Sequence, residues 1–303
     1  MIISGTHTFG VSAADFGLPV HTALRYERPD RRLRPMFPDY FVFDSDAEKF
    51  SGAGSWLLPG WATIWIVITD GQIGVTIASR HYNALGSANV YGVTSRAMPV
   101  TTSGGTTVAV TVSAIGWARF FAPPAELMRD RLVPLGDILL SGGWAAELVA
   151  AIRASDRGPA VKDLLDQFFL DHMPSPHPDE ALIAQITILL GDPSMQDLVH
   201  AAADLGISEQ VTLRLIKRHF GFPPKMLAMR SRFLRAIVNT IMSGYQPGVA
   251  LVPDGYYDAS HFIRDGIRFL GMTPRRFLAT DLTYLQAVLR ARLLVLRASA
   301  VHA

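Results

Sequence analysis

The segment 208–274 repeats itself, and no other feature of the chain restricts the fold as much. Shifted by fifty positions, Ser208 falls on Asp258, Arg214 on Arg264, Arg218 on Arg268, Gly221 on Gly271 and Pro224 on Pro274. One supersecondary unit is therefore used twice. Each copy opens on a residue whose side-chain oxygen can cap a helix, Ser208 or Asp258. About three helical turns follow, then a glycine stop, and proline opens the next helix. Residues four apart share a helix face, so each arginine pair makes a positive stripe. A positive helix presented twice points to a nucleic-acid reader.

The charge distribution agrees. From residue 194 onward there are 14 basic and 7 acidic residues, a surplus of +7 that leaves the remainder of this +2 chain at −5. A basic third on a mildly acidic remainder suits a polyanionic partner. With 303 residues, 49% hydrophobic and 18% charged, the chain is long and apolar enough for two packed cores. The absence of cysteine excludes disulfides, thiolate metal sites and a cysteine nucleophile. The opening MIISGTHTFG lacks a basic region followed by a long apolar core, and no apolar run approaches the roughly 20 residues of a membrane span. The expected location is the cytoplasm, at the nucleoid, with no membrane partner.

From about residue 24 to 133, Val, Thr, Trp, Tyr and Gly are abundant. Apolar runs at 61–69 and 106–114 are separated by turn signals such as Asp70-Gly71 and Ser103-Gly104-Gly105. This spacing predicts an antiparallel β-barrel, closed or of jelly-roll (cupin-like) type. The basic stretch 25–34, RYERPDRRLR, reads as a solvated arm ahead of the strands. Helical periodicity begins near Pro123-Pro124 and continues at 144–152 and 161–169. A break at 174–178, PSPHP, precedes an apolar helix at 179–190. Further helices are expected at 194–204, 208–220, 224–243, 258–269 and 281–297, with a short one between Pro247 and Pro253. The expected fold is α+β. Its parts are a β-barrel sensing or dimerisation domain (1–138), a helical connector (139–192), an all-α DNA-binding domain with two helix-turn-helix units joined by a long helix (193–280), and a C-terminal helix (281–303).

Particular residues add a family resemblance. Asp204-Leu-Gly-Ile-Ser, Arg214, Lys217-Arg218-His219-Phe220-Gly221, Pro224, Gly255-Tyr-Tyr-Asp-Ala-Ser-His-Phe-Ile-Arg-Asp and Gly271-Met-Thr-Pro resemble the AraC/XylS family of transcription regulators over about 90 residues. More loosely, Leu58-Pro59-Gly60, Gly116-Trp117 and Arg131-Leu-Val-Pro-Leu are similar to an uncharacterised barrel attached to some members of that family. The resemblance implies two reader helices in successive major grooves of one duplex face. Its base-facing positions fall on Gln210, Leu213, Arg214 and Lys217 in the first unit and on Ala259, Ser260, Ile263 and Arg264 in the second. Gln210 can pair with adenine, Arg214 with guanine, and Leu213 can meet a thymine methyl. Arg218, Arg268, Lys225 and Arg275 are candidates for phosphate. His261 and Phe262 match framework positions.

Three departures bear on the second unit and on the first reader's core. Thr212 stands where the family buries a leucine, Gly266 where it buries a phenylalanine, and Pro253 lies two residues before the turn glycine. Gly266 therefore reads as a weak point, costing about 1 kcal/mol in helix propensity besides an unfilled volume. The first unit is expected to carry most of the readout and the second to anchor the DNA backbone.

The resemblance also implies a homodimer, with a small-molecule or protein effector at the barrel and RNA polymerase as a further partner. Trp56, Trp61, Trp65 and Trp117 are the candidate pocket. His7, His21 and His81 are scattered without ligand spacing, and the chain carries no nucleophile elbow, phosphate loop or dinucleotide fingerprint. Neither a cofactor, a metal nor an enzymatic activity is expected. An interaction adaptor on a decayed DNA-binding scaffold, kept open by Thr212, Pro253 and Gly266, and an enzyme with its active site in the barrel are the alternatives.

Overall fold

The computed structural model describes residues 1–49, 53–69, 73–83, 85–192, 195, 197–244 and 252–301. Its first part is two stacked antiparallel sheets. The larger runs β1 (Thr22–Glu27), β2 (Tyr40–Ser45), β9 (Gly105–Val112), β4 (Ala62–Ile68), β7 (Ala88–Tyr91) and β10 (Leu132–Pro134); the smaller runs β3 (Ala53–Leu57), β8 (Met98–Thr102), β5 (Ile73–Ile77) and β6 (Arg80–Tyr82). The double-sheet form of the expected antiparallel domain is the one adopted, and the two sheets stay separate instead of closing into one barrel.

The apolar run of β4 explains the layering. Ile64, Ile66 and Ile68 point into a core shared with helices, while Trp65 and Val67 point into the space between the sheets, against Ile73, Val75 and Ile77 of β5. Both faces are covered, so the strand reads as continuous hydrophobe. The segment 25–34 departs from the expected solvated arm. Arg25, Tyr26 and Glu27 are buried in β1, and Arg25 donates from Nε and Nη2 to Glu27 at 3.1 and 2.7 Å. The next-but-one acid on the same strand face neutralises the arginine, which lets a charged residue sit inside.

Helices follow. α1 (Ala114–Phe120) is capped by Ser113; the expected helix after Pro123-Pro124 is a single 3-10 turn, Ala125–Met128. Next come α2 (Trp144–Ala154), α3 (Ala160–Asp171), α4 (Glu180–Gly191), α5 (Leu198–Asp204), α6 (Glu209–Leu215), α7 (Pro224–Met242), α8 (Ala259–Leu270), α9 (Pro274–Leu278) and α10 (Thr283–Val301). The short helix expected between Pro247 and Pro253 lies mainly outside the described residues; Val252 and Pro253 themselves are not helical.

One core runs through the expected domain limits. It joins Val42 and Ile64 of the sheet to Phe120, Trp144, Phe169 and Ile186, and continues to Leu215, Phe220 and Leu227 of the first repeat. A second core holds Phe233, Phe262, Phe269 and Phe277 around the second repeat. α10 then returns to the start of the chain. Its Ala291 and Val295 close over Phe16, Leu24 and Tyr26, Arg290 donates to the Phe16 carbonyl at 2.9 Å, and Arg292 lies 3.6 Å from the buried Asp39.

Candidate nucleic-acid interface

Each repeat builds a helix-turn-helix by the same local chemistry. In the first, Asp197 caps α5, Gly206 turns the chain at φ +77°, and the Ser208 hydroxyl accepts from Val211 N–H to cap α6. α6 continues through a π turn, Ile216–Phe220, to Gly221, whose φ of +77° closes the helix with a hydrogen bond to the Ile216 carbonyl. In the second, Gly255 makes the turn at φ +85°, Asp258 accepts from His261 N–H at 2.7 Å, and Gly271 ends α8 at φ +76°.

The helix period divides inside from outside. Thr212, Leu215, Ile216, His219 and Phe220 are buried, leaving Gln210, Leu213, Arg214, Lys217 and Arg218 exposed. On α8, Phe262, Asp265, Gly266, Phe269 and Leu270 are buried, while Ser260, Ile263, Arg264 and Arg268 are exposed and Ala259 is half-buried. Lys225 and Arg275 are exposed as well. His261 is half-buried, with its ring edge-on to Tyr256, and Phe262 is fully enclosed, so both serve as framework. α7, with 19 residues, joins the units and is about 28 Å long at 1.5 Å per residue.

The second unit is fixed to α7 by a buried carboxylate. Asp265 accepts from Arg232 at 3.0 Å and from the Tyr256 hydroxyl at 2.9 Å, and the Arg232 guanidinium lies over the Tyr256 ring. Burial, ahead of the Asp265 bond and charge, pushes the tyrosine hydroxyl far above its ordinary range, so it stays a donor. Gly266 is no void. A Cβ there would come within 2.4 Å of the Pro274 ring, so the glycine lets α9 close on α8 and proline fills the volume expected to be empty. Thr212 is wholly enclosed and its hydroxyl has no hydrogen-bond partner.

Both readers are docked on the sheet domain. A Cβ on Gly221 would lie 2.5 Å from Val93, and the Phe269 carbonyl accepts from Ala97 N–H at 2.7 Å. Arg230, buried on α7, donates to the carbonyls of Gly60 and Thr94 at 3.2 and 3.0 Å; burial lowers its pKa to about 10, so it remains charged at neutral pH. The four tryptophans do not line one pocket. Trp61 packs on Phe220 of the first unit and Trp56 on Phe277 just after the second, Trp65 meets Tyr91 between the sheets, and Trp117 packs at a tilt against Phe121 in the helical core. Two of them are joints between sheet and readers. A solvent-open pocket lies elsewhere, with a volume near 560 Å³ and Phe9, Glu27, Arg28, Arg31, Arg34 and Lys162 in its walls. Burial, then the crowding of Arg28 and Arg31, depresses the Arg34 pKa, and Arg28 Nε is buried without a partner.

Acids from the preceding two-thirds of the chain approach the first reader. Arg214 pairs with Asp179 at 3.4 Å and Lys217 with Glu126 at 3.8 Å, whereas Arg264 and Arg268 pair with no acid among the described residues. Part of the charge asymmetry is thus satisfied within the molecule. Asp179 also lies 3.3 Å from His219 Nε2, and the His177 ring meets His219 edge to face. Burial lowers the His219 pKa to about 4 against the opposing Asp179 bond, so the ring is neutral at pH 7. Burial alone would raise the Asp179 pKa, but the His219 bond and then the Arg214 charge hold it below its usual value. Sequence reading missed this trio, because 40 positions separate Asp179 from His219. The only signal was the His-Pro-Asp string at the break before α4.

Comparison with solved structures finds several that resemble this chain. The chain is similar to ToxT from Vibrio cholerae. Against ToxT bound to an unsaturated fatty acid the identity is 12%, with 75% of this chain and 91% of that chain covered and a TM-score of 0.43. Against another crystal form of ToxT it is 9%, covering 80% and 98%, with a TM-score of 0.45. Against an apo single-residue variant it is 9%, covering 86% and 98%, with a TM-score of 0.42. No protein-family model and no curated protein sequence matches.

Proposed function

We propose that the chain is a transcription regulator of the AraC type that binds duplex DNA through its two helix-turn-helix units. One observation carries this reading: both repeats cap, turn and stop as reader helices, and the side chains at their base-facing and phosphate positions are exposed, Ala259 in part, while Thr212, Leu215, Ile216 and His219 in the first and Phe262, Asp265, Gly266 and Phe269 in the second are buried. Two major grooves on one face of a duplex lie about 34 Å apart, a span that α7 with its flanking units approaches. In the first reader Gln210, Leu213, Arg214 and Lys217 read bases. In the second, Ala259, Ser260 and Ile263 offer little hydrogen bonding, so Arg264 with Arg268, and elsewhere Arg218, Lys225 and Arg275, hold phosphate.

In this reading residues 1–138 form the sensing and dimerising part, 139–192 the connector, 193–280 the DNA-binding part, and the helix after 281 ties the two ends together. The protein acts as a homodimer at the nucleoid, with RNA polymerase as a further partner. The pocket at Arg28, Arg31 and Arg34 suits an anionic small molecule, and the joints at Trp56, Trp61 and Arg230 fasten the sheet part to the readers. A mobility-shift titration at physiological salt, comparing DNA from upstream of its own coding region with a scrambled duplex, tests the reading. Tighter binding to the former is expected; equal affinity for both refutes sequence-specific recognition.

A further inference from the structure

The connector and the first reader meet at a side-chain cluster that DNA reading does not require. His177 precedes α4, where its backbone N–H donates to Glu180 at 2.7 Å and its Nδ1 accepts from Asp179 N–H at 3.1 Å. Asp179 stands at the N-cap of α4 without its side chain capping the helix. His219 arrives from the π turn that ends the first reader, with Nε2 3.3 Å from Asp179 Oδ2. One ligand atom from each of His177, Asp179 and His219 lies within 4.8 Å of the other two. The His219 side chain is 2% exposed, and its Nδ1 has no hydrogen-bond partner. Glu180, the other nearby acid, is engaged by Arg119 at 2.7 Å and is not free to join.

Two imidazoles and one carboxylate form a donor set for borderline divalent ions, zinc first, with the fourth position left to water. Around an ion with bonds of about 2.1 Å, tetrahedral ligand atoms lie about 3.4 Å apart. The Asp179–His219 pair is already at 3.3 Å, and from the 4.8 Å outer limit of the cluster His177 reaches the tetrahedral spacing by a movement of at most about 1.4 Å. The partly exposed His177 and Asp179 give an entry path, and the buried His219 gives a fixed anchor.

We propose that His177, Asp179 and His219 bind a divalent transition-metal ion of the zinc class, and that its arrival loosens Arg214 from Asp179. The second half rests on the DNA-binding reading; the first does not. Asp179 uses Oδ2 toward His219 and Oδ1 toward Arg214. A dication on Oδ2 cancels the charge that holds the guanidinium 3.4 Å away and places a positive charge beside it. Arg214 then turns outward, to where a base edge would lie.

The test uses the full chain stripped by chelator. Co2+ is titrated first, its visible absorption reporting a tetrahedral site, and Zn2+ is then added to displace it. One ion per chain is expected. His177→Ala, at a half-buried position where folding is retained, should lower affinity at least tenfold, as should His219→Ala if that variant folds. His200→Ala, on the exposed surface, should change nothing. Unaltered binding in His177→Ala, or no saturable binding by the parent chain, overturns the site. Zn2+ should raise affinity for duplex DNA by a factor of about 1.5 to 5 in the parent and not in Arg214→Ala, the range set by breaking one exposed ion pair. Saturable metal binding with no such change on a duplex the chain does bind overturns the coupling. If the chain binds no DNA with or without metal, the functional reading fails while the Co2+ titration still decides the site.

Discussion

Asp179→Asn should tighten DNA binding, by an amount the geometry limits. Arg214 is held by Asp179 through a single contact at 3.4 Å, and the two side chains are 57% and 15% exposed. Neither a bidentate fork nor deep burial strengthens the pair, so it belongs with exposed ion pairs worth about 0.2–1 kcal/mol. Arg214 must leave Asp179 to reach a base, and that cost is subtracted from the binding energy. Removing it raises affinity by a factor between about 1.5 and 5. Asparagine keeps an oxygen that can accept from His219 Nε2–H, so the connector contact survives the change. The measurement is fluorescence anisotropy with a labelled duplex at about 0.15 M salt, on metal-free protein. The gain should shrink as salt rises, because screening already weakens the pair. Arg214→Ala alone should cost about 1–3 kcal/mol on a specific site. In its background Asp179→Asn should give no gain, so the double-mutant cycle has a non-zero coupling. A folded Asp179→Asn chain that binds no tighter, or whose gain persists without Arg214, refutes the idea that the acid restrains the reader.

Three further outcomes are expected. Thr212→Val keeps shape while removing a buried hydroxyl with no partner, and should stabilise the chain by about 1 kcal/mol in denaturant titration. Gly266→Ala gains up to about 1 kcal/mol of helix propensity, but its methyl would meet the Pro274 ring at 2.4 Å; overpacking of about 1–3 kcal/mol should win, giving net loss of stability in the same assay. Arg268→Ala should weaken binding to all duplexes alike and lower the slope of log affinity against log salt by about one.

The reader units were legible because their signals are local. A cap residue, a glycine forced into the left-handed region and a proline at the first helical position each act within a few residues, and together they delimit α6 to α9. The family resemblance set Leu213 and Arg214 outward, and in the fold they are exposed while Leu215 and Ile216 are buried. What pattern could not show depends on distant partners. Arg25 looked like a surface charge until β1 set Glu27 on the same face. Gly266 looked like a hole until α9 brought Pro274 against it. Tryptophans at strand spacing gave no sign that Trp56 and Trp61 would face helices more than 150 positions later. Asp179 and His219 are 40 positions apart, and no ligand-spacing rule reaches that far.

The return of α10 to the first strand has a consequence for biosynthesis. Arg290 and the Phe16 carbonyl that it meets are 274 positions apart, and Leu24 and Tyr26 are sealed by Ala291 and Val295. A chain emerging from the ribosome must therefore carry the outer face of its first strand uncovered until α10 has been made. Closing so long a loop is slow, and the exposed strand is open to other pairings meanwhile. Emergence of α10, rather than of the sheet itself, then sets when β1 becomes protected from protease, and β1 is where a chaperone would be needed longest.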